Sequence, residues 1–313
     1  MIISASGEFT SLMCGIVGLF IKNPALEPAL GRMFERMLVC LSNRGPDSAG
    51  FAIYRDEDRA GRLKVTLHSP DSAFVWEAVA ENLARKFDQA VEHRRCSTHA
   101  VFVLAADAAA VQAHVRAAFP RVNIMSVGRS IEIMKEVGPP ASVLARFQVA
   151  GMSGSHAIGH TRMATESAVT TAGSHPFSSG LDLCLVHNGS LSNHHRLRKG
   201  LEREGISFST DNDSEVAAGY LNWRLKSGDS LKAALTQALN DLDGFYTFAV
   251  GTADGFGVLR DPIACKPAII AETADYVAMA SEYRALADLP GIERAKLWEP
   301  EPGIVYSWSK AGR

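Results

Sequence analysis

A cysteine directly follows a methionine near the start of this sequence and precedes a short apolar run. Cys14 comes after Met13 and is followed by Gly15. If Met13 were removed, Cys14 would carry a free α-amine, whose ordinary pKa of about 8 lets it accept the proton of the thiol. Nucleophile and base would then belong to one residue. The alternative is a buried structural cysteine at the start of a strand, because free cysteine behaves as a small hydrophobe.

Polar motifs follow Cys14 in a definite order along the chain. They are Arg44-Gly45-Pro46-Asp47-Ser48-Ala49-Gly50, Gly159-His160-Thr161-Arg162-Met163-Ala164-Thr165, His175-Pro176, His187-Asn188-Gly189 and Asp211-Asn212-Asp213-Ser214-Glu215. Together with Cys14-Gly15-Ile16-Val17-Gly18 they resemble class II glutamine amidotransferases, the N-terminal-nucleophile (Ntn) glutaminases. The resemblance covers about residues 14–55 and 155–305.

This resemblance implies a catalytic role for part of the motif set. Cys14 would be the nucleophile, and the side-chain amide of Asn188 and the backbone N–H of Gly189 would hold the oxyanion of the tetrahedral intermediate. The residue pair also has a structural interpretation, because Asn-Gly is a strong signal for a hairpin turn.

Other motif residues are implied to bind glutamine or to support the site. Arg162 would bind the α-carboxylate, Asp213 the α-ammonium group, and Thr165 and His175 would lie near the substrate. Arg162 could instead form a surface ion pair, and Asp213 could simply stabilise the first turn of a helix. Arg44 and Asp47 would shape the structure near the site, and turn formation around Gly45-Pro46 alone would also account for them.

Two residues differ from the pattern that the resemblance leads us to expect. An aromatic residue usually follows the arginine and a histidine usually follows the threonine, where this chain has Met163 and Glu166. The shape of the glutamine pocket is therefore not fixed by the motifs.

Composition narrows the class of protein. The 313 residues carry a net charge of -2, which gives no basic surface for nucleic acid. The five cysteines include no Cys-x-x-Cys motif, so we expect neither a disulfide framework nor a metal cluster in this chain. No apolar run is long enough for a membrane helix, and no basic secretory signal precedes Cys14. We expect a cytoplasmic protein that binds no cofactor of its own.

The periodicity of apolar residues predicts a mixed α+β fold. Residues 14–21 are predicted to form a strand, 25–41 a helix and 214–226 a second helix, in which Asn212 and Glu215 would form a capping box. The segments 245–250 and 256–260 are predicted to pair as a hairpin. The family resemblance implies the αββα four-layer sandwich of Ntn hydrolases.

The predicted domain organisation has three parts. Residues 1–13 would be an N-terminal extension or propeptide, and residues 14–313 the amidotransferase domain, interrupted by a small α/β insert at about 56–154. Within the insert, 131–137 is predicted as a helix. Because the insert carries no catalytic motif, we expect it to dock a partner subunit or to close the path of ammonia.

These observations predict a glutaminase subunit that passes ammonia to a separate synthase subunit in a hetero-oligomer. By resemblance to the amidotransferase-like subunit of N-methylglutamate synthase and to the glutaminase domain of glutamate synthase, that partner would carry FMN and an iron-sulfur cluster and would act in methylamine metabolism. The alternative is a non-catalytic structural or glutamine-sensing subunit of the same complex.

Overall fold

The computed structural model describes residues 13–55, 62–163 and 168–310, so most of the predicted extension lies outside the described residues. The strands are β1 (Gly15–Ile21), β2 (Ser48–Tyr54), β3 (Leu63–His68), β4 (Glu92–Cys96), β5 (His99–Leu104), β6 (Asn123–Gly128), β7 (Ile131–Val137), β8 (His156–Arg162), β9 (Phe177–Ser178), β10 (Cys184–Leu191), β11 (Gly244–Thr252), β12 (Gly255–Arg260), β13 (Ile269–Glu272), β14 (Tyr276–Ala280), β15 (Lys296–Trp298) and β16 (Val305–Ser309).

The helices surround these strands. They are α1 (Leu30–Cys40), α2 (Trp76–Phe87), α3 (Ala108–Ala118), α4 (Pro140–Arg146), α5 (His194–Arg203), α6 (Asp213–Lys226) and α7 (Leu231–Asp241). Short 3₁₀ helices lie at Pro24–Ala29, Val149–Gly151, Tyr283–Ala285 and Ile292–Arg294. The predicted helix at 25–41 is therefore a 3₁₀ turn followed by α1.

Two antiparallel sheets form the centre of the molecule. One has the strand order β15-β13-β14-β1-β8-β2-β7, and the other has the order β16-β12-β11-β10-β9. The predicted hairpin is confirmed, since β11 pairs with β12 from Thr247 opposite Arg260 to Thr252 opposite Gly255.

Side chains alternate between the faces of these sheets, as the geometry of a strand requires. Along β1, Val17 and Leu19 pack with α1 and α4, whereas Ile16 and Phe20 pack against the second sheet. Residues of α6 and α7 cover the other face of that second sheet. The layers are thus helix, sheet, sheet and helix, which confirms the predicted αββα sandwich.

The part of the chain that connects β2 to β7 forms a third sheet. Its order is β4-β5-β3-β6, and α2 and α3 cover one face of it around a separate apolar core that includes Val65, Trp76, Phe102 and Val111. The range 56–154 stays a prediction for the insert. Within that range, residues 63–128 build the third sheet with its helices, while β7 and α4 belong to the sandwich.

The prediction of a helix at 131–137 is wrong, because this segment is strand β7. It pairs with β2 along its whole length, from Ile131 opposite Tyr54 to Val137 opposite Ser48. Nearly all of its side chains are buried, because the third sheet packs beside it. This short segment mixes apolar residues with charged ones that are buried as well, so its pattern could not separate strand from helix.

A group of charges, which we call the polar seam, joins the third sheet to β7. Glu132 of β7 is fully buried, and its carboxylate lies 3.1 Å from Nζ of Lys64, 2.6 Å from Nη2 of Arg94 and 3.5 Å from Nη1 of Arg55. Burial raises the pKa of Glu132, but the three neighbouring cations outweigh it, so this pKa lies below its ordinary value.

Asp182 organises the turn between β6 and β7. Its carboxylate accepts hydrogen bonds from the backbone N–H groups of Arg129, Ser130 and Ile131, at 2.8–3.0 Å. Its backbone carbonyl accepts a further bond from the hydroxyl of Tyr54, at 3.1 Å. A residue of the segment before β10 thereby fixes a turn that belongs to another sheet.

Across the described ranges, none of the helices combines the length and the apolar character that crossing a membrane requires.

Candidate active site

Cys14 immediately precedes β1, beside the end of β8. Gly15 pairs with Thr161, so Cys14 is next to Arg162 and Met163, and its Sγ lies 3.7 Å from the Met163 carbonyl oxygen. Burial raises the pKa of the Cys14 thiol, although the nearby charges of Arg162 and Lys266 oppose this effect. The thiol of Cys14 is therefore protonated at neutral pH.

The backbone carbonyl of Cys14 is held by two side chains from different elements. Nδ2 of Asn188 donates to it at 3.0 Å and Nε of Arg44 at 3.2 Å. Nη1 of Arg44 also contacts Oε1 of Glu282 at 2.5 Å. Arg44 thus ties the segment after α1 to Cys14.

The turn that carries Arg44 packs closely against β8. A Cβ at Gly45 would lie 2.4 Å from the backbone carbon of Thr161, so only glycine fits there. The backbone N–H of Asp47 donates to the carbonyl of Arg162 at 3.1 Å. The turn therefore fixes the end of β8, where Arg162 projects.

Asn188 and Gly189 lie inside strand β10 and do not form a hairpin turn. Asn188 is opposite Thr247 of β11, and Gly189 is opposite Tyr246. Gly189 has a φ of +148°, and a Cβ would lie 2.0 Å from the carbonyl oxygen of Phe245. Glycine is required here, since the β10–β11 ladder brings another backbone into contact with it.

Arg162 and Asp213 come from opposite sides of the sandwich. Arg162, the last residue of β8, is 6% exposed, and its Nη1 lies 3.4 Å from the Ala168 carbonyl. Asp213 is the first residue of α6, and its Oδ2 accepts a hydrogen bond from the backbone N–H of Leu191 at 2.9 Å. The side chain of Asp213 keeps 21% exposure.

The cap of α6 differs from the predicted capping box. The Asn212 side chain accepts from the N–H of Ser214 at 2.8 Å, as a capping residue does. Glu215, however, accepts from the N–H groups of Ser209 and Thr210 and makes no reciprocal bond to Asn212. The carboxylate of Glu215 therefore orders the loop before the helix.

Three histidines are buried beneath Asp213. The rings of His160 and His175 stack with centroids 4.0 Å apart. Oγ of Ser214 lies 2.9 Å from Nε2 of His175 and 2.9 Å from Nδ1 of His187. Ser214 is also 3.3 Å from Oδ1 of Asp213, to which its hydroxyl donates.

Burial keeps these imidazoles neutral at pH 7. It lowers the pKa of His160 to about 3 and that of His175 well below the ordinary value. The pKa of His187 is also lowered by burial, against the attraction of Asp213. His175 thus lies behind Asp213 and contacts Ser214, whereas Thr165 is outside the described residues.

The sequence interpretation overlooked Lys266, Ser214 and the other two histidines. Nζ of Lys266 lies 3.7 Å from Sδ of Met13 and 5.3 Å from the ring centre of Phe245. Lys266 follows Pro262 and precedes Pro267, which indicates a turn and gives no sign of a site. Ser214 and His187 belong to two of the sequence motifs, but their spacing in the chain does not predict that they are in contact.

The arrangement combines a thiol, amide donors, a guanidinium group and a carboxylate around one end of β1, β8 and β10. Such a set suits attack on a carbonyl compound that carries both an ammonium group and a carboxylate.

Comparison with known proteins gives a consistent result. Residues 160–288 match the family model "Glutamine amidotransferase domain". The chain is 58% identical, over 95% of its length and 98% of the relative, to the glutamine amidotransferase-like protein GlxB of Rhizobium meliloti. It is 37% identical, over only 36% of its length and 18% of the relative, to the isomerizing glutamine–fructose-6-phosphate aminotransferase of Shewanella oneidensis.

A solved structure shows the same fold. The glutamine phosphoribosylpyrophosphate amidotransferase of B. subtilis, complexed with ADP and GMP, aligns with a TM-score of 0.60 at 22% identity. The alignment covers 96% of this chain and 48% of that one, so this chain spans about half of the longer enzyme.

Proposed function

This chain belongs to the glutamine amidotransferase family and has the fold of its class II, Ntn-hydrolase members, and we propose that it hydrolyses the side-chain amide of glutamine through Cys14. Removal of Met13 would free the α-amine of Cys14, which takes the thiol proton. The observation that carries the proposal is that Asn188 and Arg44 both bind the backbone of Cys14, while Arg162 follows in the neighbouring strand.

The proposed reaction runs through a thioester. The Cys14 sulfur attacks the amide carbon of glutamine, and the oxyanion that forms is held by the Asn188 amide and the Gly189 N–H. The C–N bond then breaks, and ammonia leaves with the proton carried by the α-amine. Water, deprotonated by the same amine, cleaves the thioester and releases glutamate.

The substrate is held at its charged head. Arg162 pairs with the α-carboxylate through a planar guanidinium group, which suits two parallel hydrogen bonds. Asp213 receives the α-ammonium group. This division explains why the two charged residues come from different layers, since the head group then lies between β8 and α6.

Lys266 supports the chemistry of the α-amine. Its ammonium contacts Met13, the residue whose removal would create that amine. A neighbouring positive charge disfavours protonation of an amine, so Lys266 would help keep the α-amine in its basic form.

The deciding experiment combines the mass of the purified chain with a glutaminase assay. We expect a mature chain that begins at Cys14 and releases glutamate and ammonia from glutamine. A chain that keeps Met13 and binds glutamine without hydrolysing it would instead support a non-catalytic, glutamine-sensing subunit.

The recipient of ammonia is proposed from the motif resemblance. It would be a separate, cytoplasmic synthase subunit with FMN and an iron-sulfur cluster, of the glutamate synthase or N-methylglutamate synthase type. Co-purification with that subunit and transfer of nitrogen from amide-labelled glutamine to glutamate or to an N-methylglutamate product would test it.

Residues 63–128 are the proposed docking element for that subunit. Deleting them is a poor test, because Glu132 would lose Lys64 and Arg94. Charge reversal at the exposed residues Glu77 and Glu81 of α2 leaves the seam intact. Undiminished co-purification of a Glu77→Lys, Glu81→Lys variant would argue against docking through this helix.

A further inference from the structure

Hydrogen-bond geometry around Ser214 determines where the protons lie in the histidine cluster. A serine hydroxyl has a single proton and can accept further bonds through its oxygen. Oγ of Ser214 has three close neighbours, His175 Nε2 at 2.9 Å, His187 Nδ1 at 2.9 Å and Asp213 Oδ1 at 3.3 Å. A carboxylate oxygen only accepts, so the Ser214 proton must point to Asp213 to avoid a contact between two acceptors.

Both histidines must then donate to Ser214. A neutral imidazole has one N–H group, so His175 carries its proton on Nε2 and His187 carries its proton on Nδ1. Within the described part of the chain, the opposite nitrogens, Nδ1 of His175 and Nε2 of His187, have no hydrogen-bond partner. This agrees with the assignment, since each buried atom without a partner is a lone pair, and no N–H group is left without an acceptor.

His160 completes the assignment. Its Nε2 lies 3.1 Å from the backbone oxygen of His187, which can only accept, so the proton of His160 is on Nε2. The ring of His160 stacks on one face of the His175 ring, whose Nε2 at the ring edge contacts Ser214. The three rings therefore form one buried unit with a single consistent proton arrangement.

We infer that His175 and His187, by donating to Ser214, orient its hydroxyl so that it donates a hydrogen bond to Oδ1 of Asp213. Ser214 is then the positioning residue for the carboxylate that receives the ammonium group of glutamine. This inference rests on the proposed function. The N–H of Leu191 holds Oδ2, and the hydroxyl of Ser214 holds Oδ1, so the carboxylate is fixed at both oxygens. Ser214 itself is 1% exposed and acts only through Asp213.

Glutamine binding to a Cys14→Ala chain tests the inference without requiring catalysis. Titration calorimetry would compare this background alone with Ser214→Ala, Ser214→Thr, Asp213→Asn and the Asp213→Asn, Ser214→Ala combination. We expect Ser214→Ala to raise the Kd for L-glutamine about tenfold, as for loss of one hydrogen bond to a charged group, and Ser214→Thr to restore most of the affinity. In the Asp213→Asn background, Ser214→Ala should add less than about twofold.

Ser155→Ala is the matched control. Ser155 is also a buried serine beside a histidine, since its Oγ lies 2.9 Å from Nδ1 of His156 and 3.4 Å from the backbone oxygen of Tyr54. The control is expected to leave the Kd for glutamine unchanged even if the melting temperature falls. Equal losses of affinity in both serine variants would overturn the inference, as would full additivity of Ser214→Ala and Asp213→Asn.

Nitrogen NMR of the histidine rings gives a second readout that does not depend on glutamine. The inference requires the Nε2–H tautomer for His175 and the Nδ1–H tautomer for His187 at pH 7, and the opposite tautomer at either ring would reject it. A chain that binds glutamine and shows this dependence on Ser214 but hydrolyses nothing would contradict the proposed function alone. Absence of glutamine binding in the Cys14→Ala background would overturn both.

Discussion

Two carboxylates on different elements, Glu132 of β7 and Asp213 of α6, are stabilised in different ways. Glu132 in the polar seam is fully buried and contacts the cationic side chains of Lys64, Arg94 and Arg55. Asp213 at the candidate site is held by a backbone N–H group and a serine hydroxyl, which are dipoles. The charge of Glu132 is neutralised by its neighbours and stabilises the contact between strands, whereas the charge of Asp213 stays uncompensated by these two dipoles, as the proposed binding of an ammonium group requires.

The same contrast extends to the two surroundings. Members of the polar seam also bond to one another, since Nζ of Lys64 donates to the carbonyl of Arg55 at 3.1 Å. The site has charges of both signs that converge from β8 and α6. Substitutions should therefore separate the regions, with stability lost in one and function lost in the other.

Removal of the nucleophile should give the largest effect and show that the site contributes little to stability. We expect Cys14→Ala to lower the rate of glutamine hydrolysis by at least about 10³-fold, because the substitution removes the sulfur that would form the thioester. The melting temperature should change little, and steady-state ammonia release measures the loss.

Cys184→Ala is the control for that variant. Cys184 is a fully buried cysteine whose Sγ lies 3.2 Å from the hydroxyl of Tyr54. It should lose about 1–2 kcal/mol of stability yet keep most activity. If Cys14→Ala retained wild-type activity, Cys14 could not be the nucleophile.

Loss of charge at the substrate head should weaken binding. We expect Asp213→Asn and Arg162→Lys each to cost about 2–5 kcal/mol in glutamine binding, because each leaves one charge of the substrate without its partner. Glutamine titrations alongside thermal unfolding would measure this. A lower melting temperature with unchanged affinity would assign these residues to the fold.

Loss of charge in the polar seam should lower stability and leave glutamine binding unchanged. Glu132→Gln leaves buried cations without their counter-ion, so we expect a loss of about 3–5 kcal/mol in the free energy of unfolding, with glutamine binding per folded molecule unchanged. Chemical denaturation measures the loss.

The exposed pair of Arg62 and Glu92, with 2.7 Å between nitrogen and oxygen, provides the comparison. Glu92→Gln should change stability by less than about 0.5 kcal/mol. Equal effects of the two glutamate substitutions would show that the seam is not a stabilising network.

Acidification should lower the free energy of unfolding through the histidine cluster, and the loss per histidine should be smaller than the losses expected from the substitutions above. His160 has a pKa of about 3 when folded against a usual 6.5, so below pH 6.5 the unfolded chain binds a proton that the folded chain does not. Stability from this residue is complete above pH 6.5 and falls by about 1.4 kcal/mol per pH unit on acidification. His160→Gln keeps a donor near the His187 carbonyl and should reduce that slope, as unfolding curves between pH 7 and 5 would reveal.

An unchanged slope in His160→Gln would mean that the proton uptake arises elsewhere. His99 of β5, whose pKa is also lowered by burial, contacts the ring of Phe147 after α4 and serves as a second position to test.

Apolar periodicity predicted the mixed α+β fold because the strands show clear signals, whereas the four-layer sandwich followed from the family resemblance of the motifs. The run 14–21 and the hairpin of β11 and β12 follow from β-branched residues and turns. The ordered motifs also indicated Cys14, Arg162, Asn188 and Asp213 as a group, which the structure draws from β1, β8, β10 and α6. Their catalytic and binding roles stay predictions.

Several features depend on contacts that no local pattern contains. Strand β7 was misassigned because it is buried by β2 and by the third sheet together. The position of His175 behind Asp213 depends on Ser214, which is distant in sequence, and the polar seam unites residues from four separate segments. Such groupings arise from sheet order, which the chain encodes only through the whole fold.

The hydrogen bonds of Asp182 make one turn of the fold depend on a residue that is synthesised later. The N–H groups of Ser130 and Ile131 bond to a carboxylate about fifty positions later in the chain, since Asp182 is 52 residues beyond Ser130. During translation the turn between β6 and β7 lacks its acceptor until that later segment leaves the ribosome. Protease protection of stalled nascent chains in which residue 182 is still inside the ribosome or has already left it would detect the change. Excising residues 63–128 would therefore not transfer the intact third sheet to another protein, because the carboxylate that holds the turn after β6 belongs to Asp182, later in the chain.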